Sequence, residues 1–159
     1  MEYLNILFWI MLSVFVTYVG FIWIRYGIQP SISESYYKLP QSLKWMFTIF
    51  CWGFAVPAAI IGVTLTNNFL MFLAAAGICF VGAAAEFKQS LTKNVHMIGA
   101  YCGILFSQLS ILFYFNLPVV VATTLLLLII CQLYVKNKVW WQELIAFTAI
   151  LIVFQIALP

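Results

Sequence analysis

The sequence predicts an all-α polytopic integral membrane protein: a helical bundle of about six transmembrane helices plus a short interfacial helix in the first loop. Of its 159 residues, 66% are hydrophobic and only 7% are charged, and the mean hydropathy is +1.11. Soluble domains carry roughly 25% charged residues, so this composition cannot cover a water-facing surface. Apolar runs alternate with short polar or turn-forming segments, which is typical of a multi-span protein. Residues 1–159 are therefore expected to form a single transmembrane domain.

The spans follow from hydropathy and from the positions of helix-breaking residues. They are predicted at residues 4–24, 45–63, 69–85, 95–115, 118–135 and 139–158. Each has about 20 residues, enough to cross roughly 30 Å of hydrocarbon. Pro57 lies inside the second span, where it predicts a kink. The first run is too long for a signal peptide and lacks a basic start, so it is expected to be retained.

The loops predict the orientation in the membrane. All seven basic residues fall in alternate loops, while the second and fourth loops and both termini carry none. The first loop has Arg25, Lys38 and Lys44, the third has Lys88 and Lys93, and the fifth has Lys136 and Lys138. Because Lys/Arg bias marks the cytoplasmic side, both termini are expected outside the cytoplasm.

Small residues recur on one face of the fourth span, as Gly99-x-x-x-Gly103-x-x-x-Ser107. Such a stripe lets two helices approach closely and supplies hydroxyl groups for hydrogen bonds between them. The third span has a matching stripe of Ala75, Cys79, Gly82 and Glu86. We expect these two spans to pack against each other. The pattern leaves open whether the partner lies in the same chain or in a second copy, as in a homo-oligomer.

Polar side chains collect at the predicted cytoplasmic ends of the spans. Glu86 closes the third span and His96 opens the fourth, both on the small-residue faces, so we expect the two side chains to lie close together. In the first loop, Ser31-x-x-Glu34 has capping-box spacing and predicts a short helix between the two prolines. Glu143 lies at the same membrane depth, one turn inside the sixth span. The predicted ligand-binding residues are Ser31, Ser33, Tyr37, Glu86, His96 and Glu143.

Several classes of chemistry lack the residues they need. The chain has no aspartate, no G-x-S-x-G turn and no phosphate-binding glycine loop. One histidine and four scattered cysteines do not make a metal site, so no metal or cofactor is expected, and the thiols are expected to be free. The net charge of +3 reflects topology, so no nucleic-acid partner is expected. Catalytic residues cannot be assigned.

The segment Ser31-Ile32-Ser33-Glu34-Ser35-Tyr36-Tyr37 resembles, with one residue more before its tyrosine pair, the S-I-S-x-Y-Y signature of a group of bacterial multi-span membrane proteins without an established activity. In that group a small-residue third span ends in V-A/G-x-x-x-F, to which Val81-Gly82 through Phe87 is similar with one residue more, and a histidine, here His96, opens the fourth. The resemblance implies the bacterial inner membrane. A looser likeness is to ceramidase-like membrane hydrolases, which combine serine, aspartate and three histidines around a metal.

Three functions stay open at this point. The leading hypothesis is a non-enzymatic membrane protein whose cytoplasm-facing polar pocket binds a lipid headgroup or small ligand, or docks a partner. Membrane lipids are the expected partners. The second hypothesis is a lipid-modifying hydrolase that uses Ser33, His96 and Glu86. The third is a small-molecule transporter, since three plus three spans would permit an inverted repeat.

Overall fold

A computed structural model describes residues 2–84 and 90–158, with the side chains of residue 84 and of residues 90–96 left aside. Within these ranges the chain forms α-helices and short 3-10 helices without a β-strand, which confirms the predicted all-helical class. The α-helices are α1 (Glu2–Tyr26), α2 (Trp45–Thr66), α3 (Leu70–Ala84), α4 (Ser90–Phe113), α5 (Pro118–Tyr134) and α6 (Lys138–Ala157).

Several of these helices are suited to a membrane. Three segments, Glu2–Tyr26, Gln41–Thr66 and Lys138–Ala157, are long and apolar enough to cross one. Shorter apolar helices cover Leu70–Ala83, Met97–Phe113 and Pro118–Tyr134. The protein is therefore consistent with a membrane protein, while the total of six spans stays a prediction.

Asparagines form the tight turns between helices. Asn67, Asn116 and Asn137 each adopt a left-handed backbone, with φ of 49°, 53° and 55°. Asparagine tolerates this conformation better than most residues and is common where a helix ends. At the end of α2, the backbone N–H of Asn67 donates to the carbonyl of Val63, 2.8 Å away. These turns keep α2–α3, α4–α5 and α5–α6 adjacent.

The first loop contains the short helix predicted between the prolines, here a 3-10 helix at Ser33–Tyr37 followed by another at Gln41–Leu43. The hydroxyl of Ser31 accepts a hydrogen bond from the backbone N–H of Glu34 at 3.0 Å, which is the hydroxyl half of the predicted capping box. The Glu34 side chain is exposed. The loop is therefore an ordered polar segment next to the helix ends.

Helices adjacent in sequence pack against each other, and α6 closes the bundle by contacting α1, α2 and α4. Aromatic rings fill the space between α1, α2 and α6. Tyr18 stacks on Phe50 with ring centroids 4.6 Å apart, and Phe147 meets Phe54 edge-on at 4.7 Å. These off-centre and edge-on arrangements are the favourable ones for aromatic pairs.

The contact between α3 and α4 is the most extensive helix pair in the bundle. A Cβ atom placed on Gly77 would lie 2.5 Å from the carbonyl oxygen of Gly99 and 2.8 Å from the backbone nitrogen of Gly103. The two backbones are thus nearly in contact, and only glycine fits at the crossing. Helix α4 also begins at Ser90 rather than near residue 95, because a helix is free to extend beyond the apolar run into the polar interface.

The predicted face of α3 is wrong in one respect. A Cβ on Gly82 would meet the side chain of Cys51 at 2.6 Å, so Gly82 faces α2 rather than α4. The α3 residues near Gly103 are Ala74 and Ile78 instead. Because α3 carries small residues on adjacent faces, its sequence period alone did not distinguish the face toward α2 from the face toward α4.

Candidate functional site

A carboxylate on α6 binds the first loop. The backbone N–H of Ile32 donates to Glu143 Oε2 at 2.5 Å, and the hydroxyl of Ser33 donates to Glu143 Oε1 at 3.2 Å. The backbone N–H of Ser33 also hydrogen-bonds this carboxylate. Three donors from two consecutive loop residues therefore converge on one partly buried side chain of α6.

The neighbouring serine extends this arrangement. Ser31 Oγ and Ser33 Oγ lie 3.0 Å apart. Because the Ser33 hydroxyl proton is directed to Glu143, the proton between the two serines comes from Ser31, whose oxygen in turn accepts the N–H of Glu34. The hydrogen bonds thus all point toward the carboxylate, and such aligned chains strengthen one another in a low-dielectric interior.

Two further contacts hold the loop on the first turn of α6. The backbone N–H of Trp140 lies 3.2 Å from the carbonyl oxygen of Pro30, and the side-chain amide of Asn137 donates to the carbonyl of Ile28 at 3.3 Å. The indole of Trp140 is buried. The loop is therefore attached to the start of α6 at Asn137 and Trp140 as well as at Glu143.

The loop is also attached to α1. The hydroxyl of Tyr18 lies 2.6 Å from Ser35 Oγ, and Ser35 donates to the carbonyl of Ile32. Ser35 is completely buried. Tyr18 also stacks on Phe50, so this hydrogen bond connects the polar loop to the aromatic core of the bundle.

Beneath this polar junction lies a cavity of about 60 Å³. Its wall is formed by the loop and four helices. The lining residues are Ile32 and Ser33 of the loop, Phe47, Phe50 and Cys51 of α2, Ile78 and Val81 of α3, Ala100, Gly103, Ile104 and Ser107 of α4, and Glu143, Ala146, Phe147 and Ile150 of α6. Polar atoms come chiefly from Ser33, Ser107 and Glu143, so the cavity is apolar with a carboxylate at its wall.

The structure brings together three of the predicted ligand-binding residues, Ser31, Ser33 and Glu143. Tyr37 lies outside this group: its side chain is 63% exposed and its ring meets Tyr36 edge-on. Glu86 lies outside the described residues. The backbone of His96 belongs to α4, but its side chain is outside what the structure describes. The proximity of Glu86 and His96 therefore stays a prediction.

The predicted packing residues of α4 take different positions. Gly99 approaches the carbonyl of Gly77 on α3, and Gly103 lies at the same crossing and also lines the cavity. Ser107 is fully buried on the cavity wall, and its hydroxyl donates to the carbonyl of Ile104 at 2.9 Å. Ser107 thus belongs to the cavity as well as to the helix contact.

Sequence reasoning missed the backbone N–H groups of Ile32 and Ser33 as partners of Glu143. Backbone donors have no signature of their own in a sequence. The available signal was indirect, since Glu143 and the first loop were expected at one membrane depth. Depth alone does not say which helix end lies beside which loop.

The arrangement has the composition of a site for a small polar group. Among the described side chains no three His, Cys, Asp or Glu residues are grouped as metal ligands, and all four cysteines are free thiols. The carboxylate and hydroxyl groups of the cavity are oxygen acceptors on an otherwise apolar wall. Small-molecule sites commonly have this composition of apolar lining and few polar groups.

The proposed kinship with the S-I-S-x-Y-Y group stays a prediction. In the comparisons with known proteins, the chain matches no family model, no curated protein and no solved structure.

Proposed function

We propose that the protein is a multi-pass membrane protein that binds a lipid headgroup or another small ligand in the cavity beside Glu143. The observation that supports this most directly is the position of that carboxylate, which lies on the wall of a cavity of about 60 Å³ formed by five segments of the chain. Ionisable groups within membrane helices are costly and usually pair with other groups or line a cavity. Glu143 does both, since loop donors hold it and the cavity adjoins it.

The size of the cavity limits the ligand. A cavity of roughly 10 to 15 Å³ holds one water, so the cavity of about 60 Å³ has room for a few waters or a headgroup fragment of similar size. Phe50, Phe147 and Ile150 offer apolar surface to the adjoining carbon atoms. The proposed ligand is therefore small, or is the polar end of a longer amphiphile.

Filling the cavity tests this proposal. The full chain is purified in mild detergent, and native mass spectrometry records the bound lipids and small molecules. Ala146→Leu places a larger side chain on the cavity wall and should remove the bound species, whereas Ala122→Leu, at an exposed position of α5, should retain it. Equal occupancy in both variants, or no bound species in the unmodified protein, would contradict the proposal. Consumption of the lipid would instead identify a hydrolase, and flux in liposomes a transporter.

We further propose that the odd-numbered loops face the cytoplasm and both termini lie outside it, as the basic residues indicate. Single cysteines in a cysteine-free background test this. Phe69→Cys and Tyr114→Cys should react with an impermeant maleimide on intact cells, whereas Ser42→Cys should not. These positions avoid the asparagines with left-handed backbone. Labelling of Ser42→Cys alone would overturn the orientation, and labelling of all three would show dual topology.

A further inference from the structure

We infer that the group bound beside Glu143 is a primary ammonium on an alkyl chain, and that the cavity rejects anionic headgroups. This inference rests on the proposed function, because it specifies the ligand of the same cavity. It follows from the hydrogen-bonding capacity of the wall, from its charge and from its apolar lining.

The side-chain O–H and loop N–H donors on the cavity wall are already used within the protein, which leaves the weak S–H donor of Cys51. The N–H of Ile32 and the hydroxyl of Ser33 donate to Glu143, and the hydroxyl of Ser107 donates to the carbonyl of Ile104. A carboxylate offers about four acceptor positions, of which the loop occupies three. Among the described residues, one position on Glu143 and the oxygen of Ser107 remain as acceptors. A ligand that donates hydrogen bonds therefore fits, whereas one that only accepts them meets no strong donor in the described part of the wall.

The charge of the cavity wall also favours a cationic ligand. Among the described side chains, the charged group identified as acting on Glu143 is Glu34, another carboxylate. A cation in the cavity would supply the opposite charge, and a hydrogen bond between ionised partners is about twice as strong as a neutral one. An anionic headgroup would instead be repelled by Glu143 and would lose its hydration without compensation.

The apolar lining indicates that the part of the ligand next to the ammonium is an alkyl chain. Phe50, Phe147 and Ile150 surround the space with apolar side chains, so the carbon atoms next to the ammonium have a surface to pack on. A primary ammonium is small enough for the cavity of about 60 Å³. Both an aminophospholipid headgroup and a free alkylamine share this chemistry.

Three amphiphiles with the same alkyl chain test the inference on the full-length protein in nonionic detergent. Dodecylamine, dodecanol and dodecanoate are titrated, and tryptophan fluorescence and the thermal midpoint report binding. We expect dodecylamine to bind about tenfold or more tightly than dodecanol, and dodecanoate not to bind. Glu143→Gln keeps an oxygen acceptor for Ile32 but removes the charge, so it should weaken amine binding about tenfold or more.

Glu2→Gln is the matched control, because it removes an exposed carboxylate that does not line the cavity and should leave amine binding unchanged. His96→Gln tests whether His96, one of the predicted ligand-binding residues, already neutralises Glu143. If the His96→Gln variant binds dodecylamine with unchanged affinity, the inference is supported; if its affinity rises tenfold or more, the inference is overturned.

The outcomes separate this inference from the proposed function. If all three amphiphiles bind equally and Ala146→Leu abolishes their binding, the ammonium inference fails and the cavity remains a binding site. If none of them binds, both the ammonium inference and the proposed function fail.

Two further measurements distinguish the source of the ammonium group. Stabilisation by n-butylamine alone indicates a free amine, and stabilisation by phosphatidylethanolamine in phosphatidylglycerol nanodiscs, without an n-butylamine effect, indicates a lipid headgroup.

Discussion

The α3–α4 crossing and the junction between the first loop and α6 hold the bundle together by different means. At the crossing, the backbones of Gly77 and Gly99 approach until no side chain fits between them. At the junction, Glu143 accepts hydrogen bonds from Ile32 and Ser33. The crossing depends on glycines that have no side chain, and the junction depends on specific hydrogen-bond donors and acceptors. The crossing should therefore be sensitive to added side-chain atoms, and the junction to removed polar groups.

The largest effect is expected from adding one methyl group at the crossing. Gly77→Ala would place Cβ 2.5 Å from the carbonyl oxygen of Gly99, so the helices must separate. Overpacking of this kind costs about 3 kcal/mol of the free energy of unfolding. The thermal midpoint of the detergent-solubilised protein measures it. Gly20→Ala is the control, because a Cβ there meets nothing within 4 Å. Equal midpoints for the two variants would remove the case for a glycine-dependent crossing.

The next effect is expected from deleting the carboxylate at the junction. Glu143→Ala leaves the N–H of Ile32 and the Ser33 donors without their acceptor, which costs about 2 kcal/mol. Glu143→Gln should lose less than half as much, because the amide oxygen still accepts. Chemical or thermal unfolding in detergent compares the two variants. A Gln variant as unstable as the Ala variant would show that charge rather than hydrogen bonding stabilises the junction.

A smaller effect is expected where the loop meets α1. Tyr18→Phe removes the hydroxyl that lies 2.6 Å from Ser35 Oγ but preserves the ring stacked on Phe50. The loss should be about 1 kcal/mol, the usual net value of one buried hydrogen bond. Tyr101→Phe, at a position that is 64% exposed, should change nothing measurable. If both variants unfold together with the unmodified protein, the Tyr18–Ser35 bond adds no stability.

The smallest effect is expected at Gly103, the second glycine of the α4 stripe. A Cβ there would lie 3.3 Å from Ile78 Cγ1, a side-chain atom that can shift, and 3.6 Å from the nearest backbone oxygen. Gly103→Ala should therefore change the free energy of unfolding by about 0.5 kcal/mol or less, since alanine also favours the helix. The thermal midpoint of the detergent-solubilised variant measures this change. A loss as large as that of Gly77→Ala would show that the whole stripe, not one crossing point, is closely packed.

The two regions also differ in how far the sequence could predict them. Gly99 and Gly103 are four residues apart on one helix, so the periodicity of α4 was enough to place them on one packing face. The corresponding face of α3 could not be chosen in the same way, because Gly77, outside the predicted stripe, faces α4, whereas Gly82, inside it, faces α2. Local spacing identifies a packing face but not the helix that covers it.

The loop–α6 junction was predicted only in part. Ser31, Ser33 and Glu143 were chosen because they are polar and lie at one membrane depth. The hydrogen bonds from the loop to Glu143 join residues about 110 positions apart, and two of the donors are backbone N–H groups that any residue except proline could supply. No periodicity extends over such a distance. The pairing depends on how the first loop and the four helices around the cavity are arranged, which is a property of the tertiary fold.

The attachment of the first loop to α6 has a consequence for biosynthesis. Ser33 leaves the ribosome 110 residues before its partner Glu143. At about 5 to 20 residues per second, the loop waits roughly 5 to 20 seconds for that carboxylate. During this interval the donors of the loop must be satisfied by other groups such as water. Docking of α6 therefore completes the polar interior, and a chain whose synthesis stalls before α6 would keep its first loop hydrated.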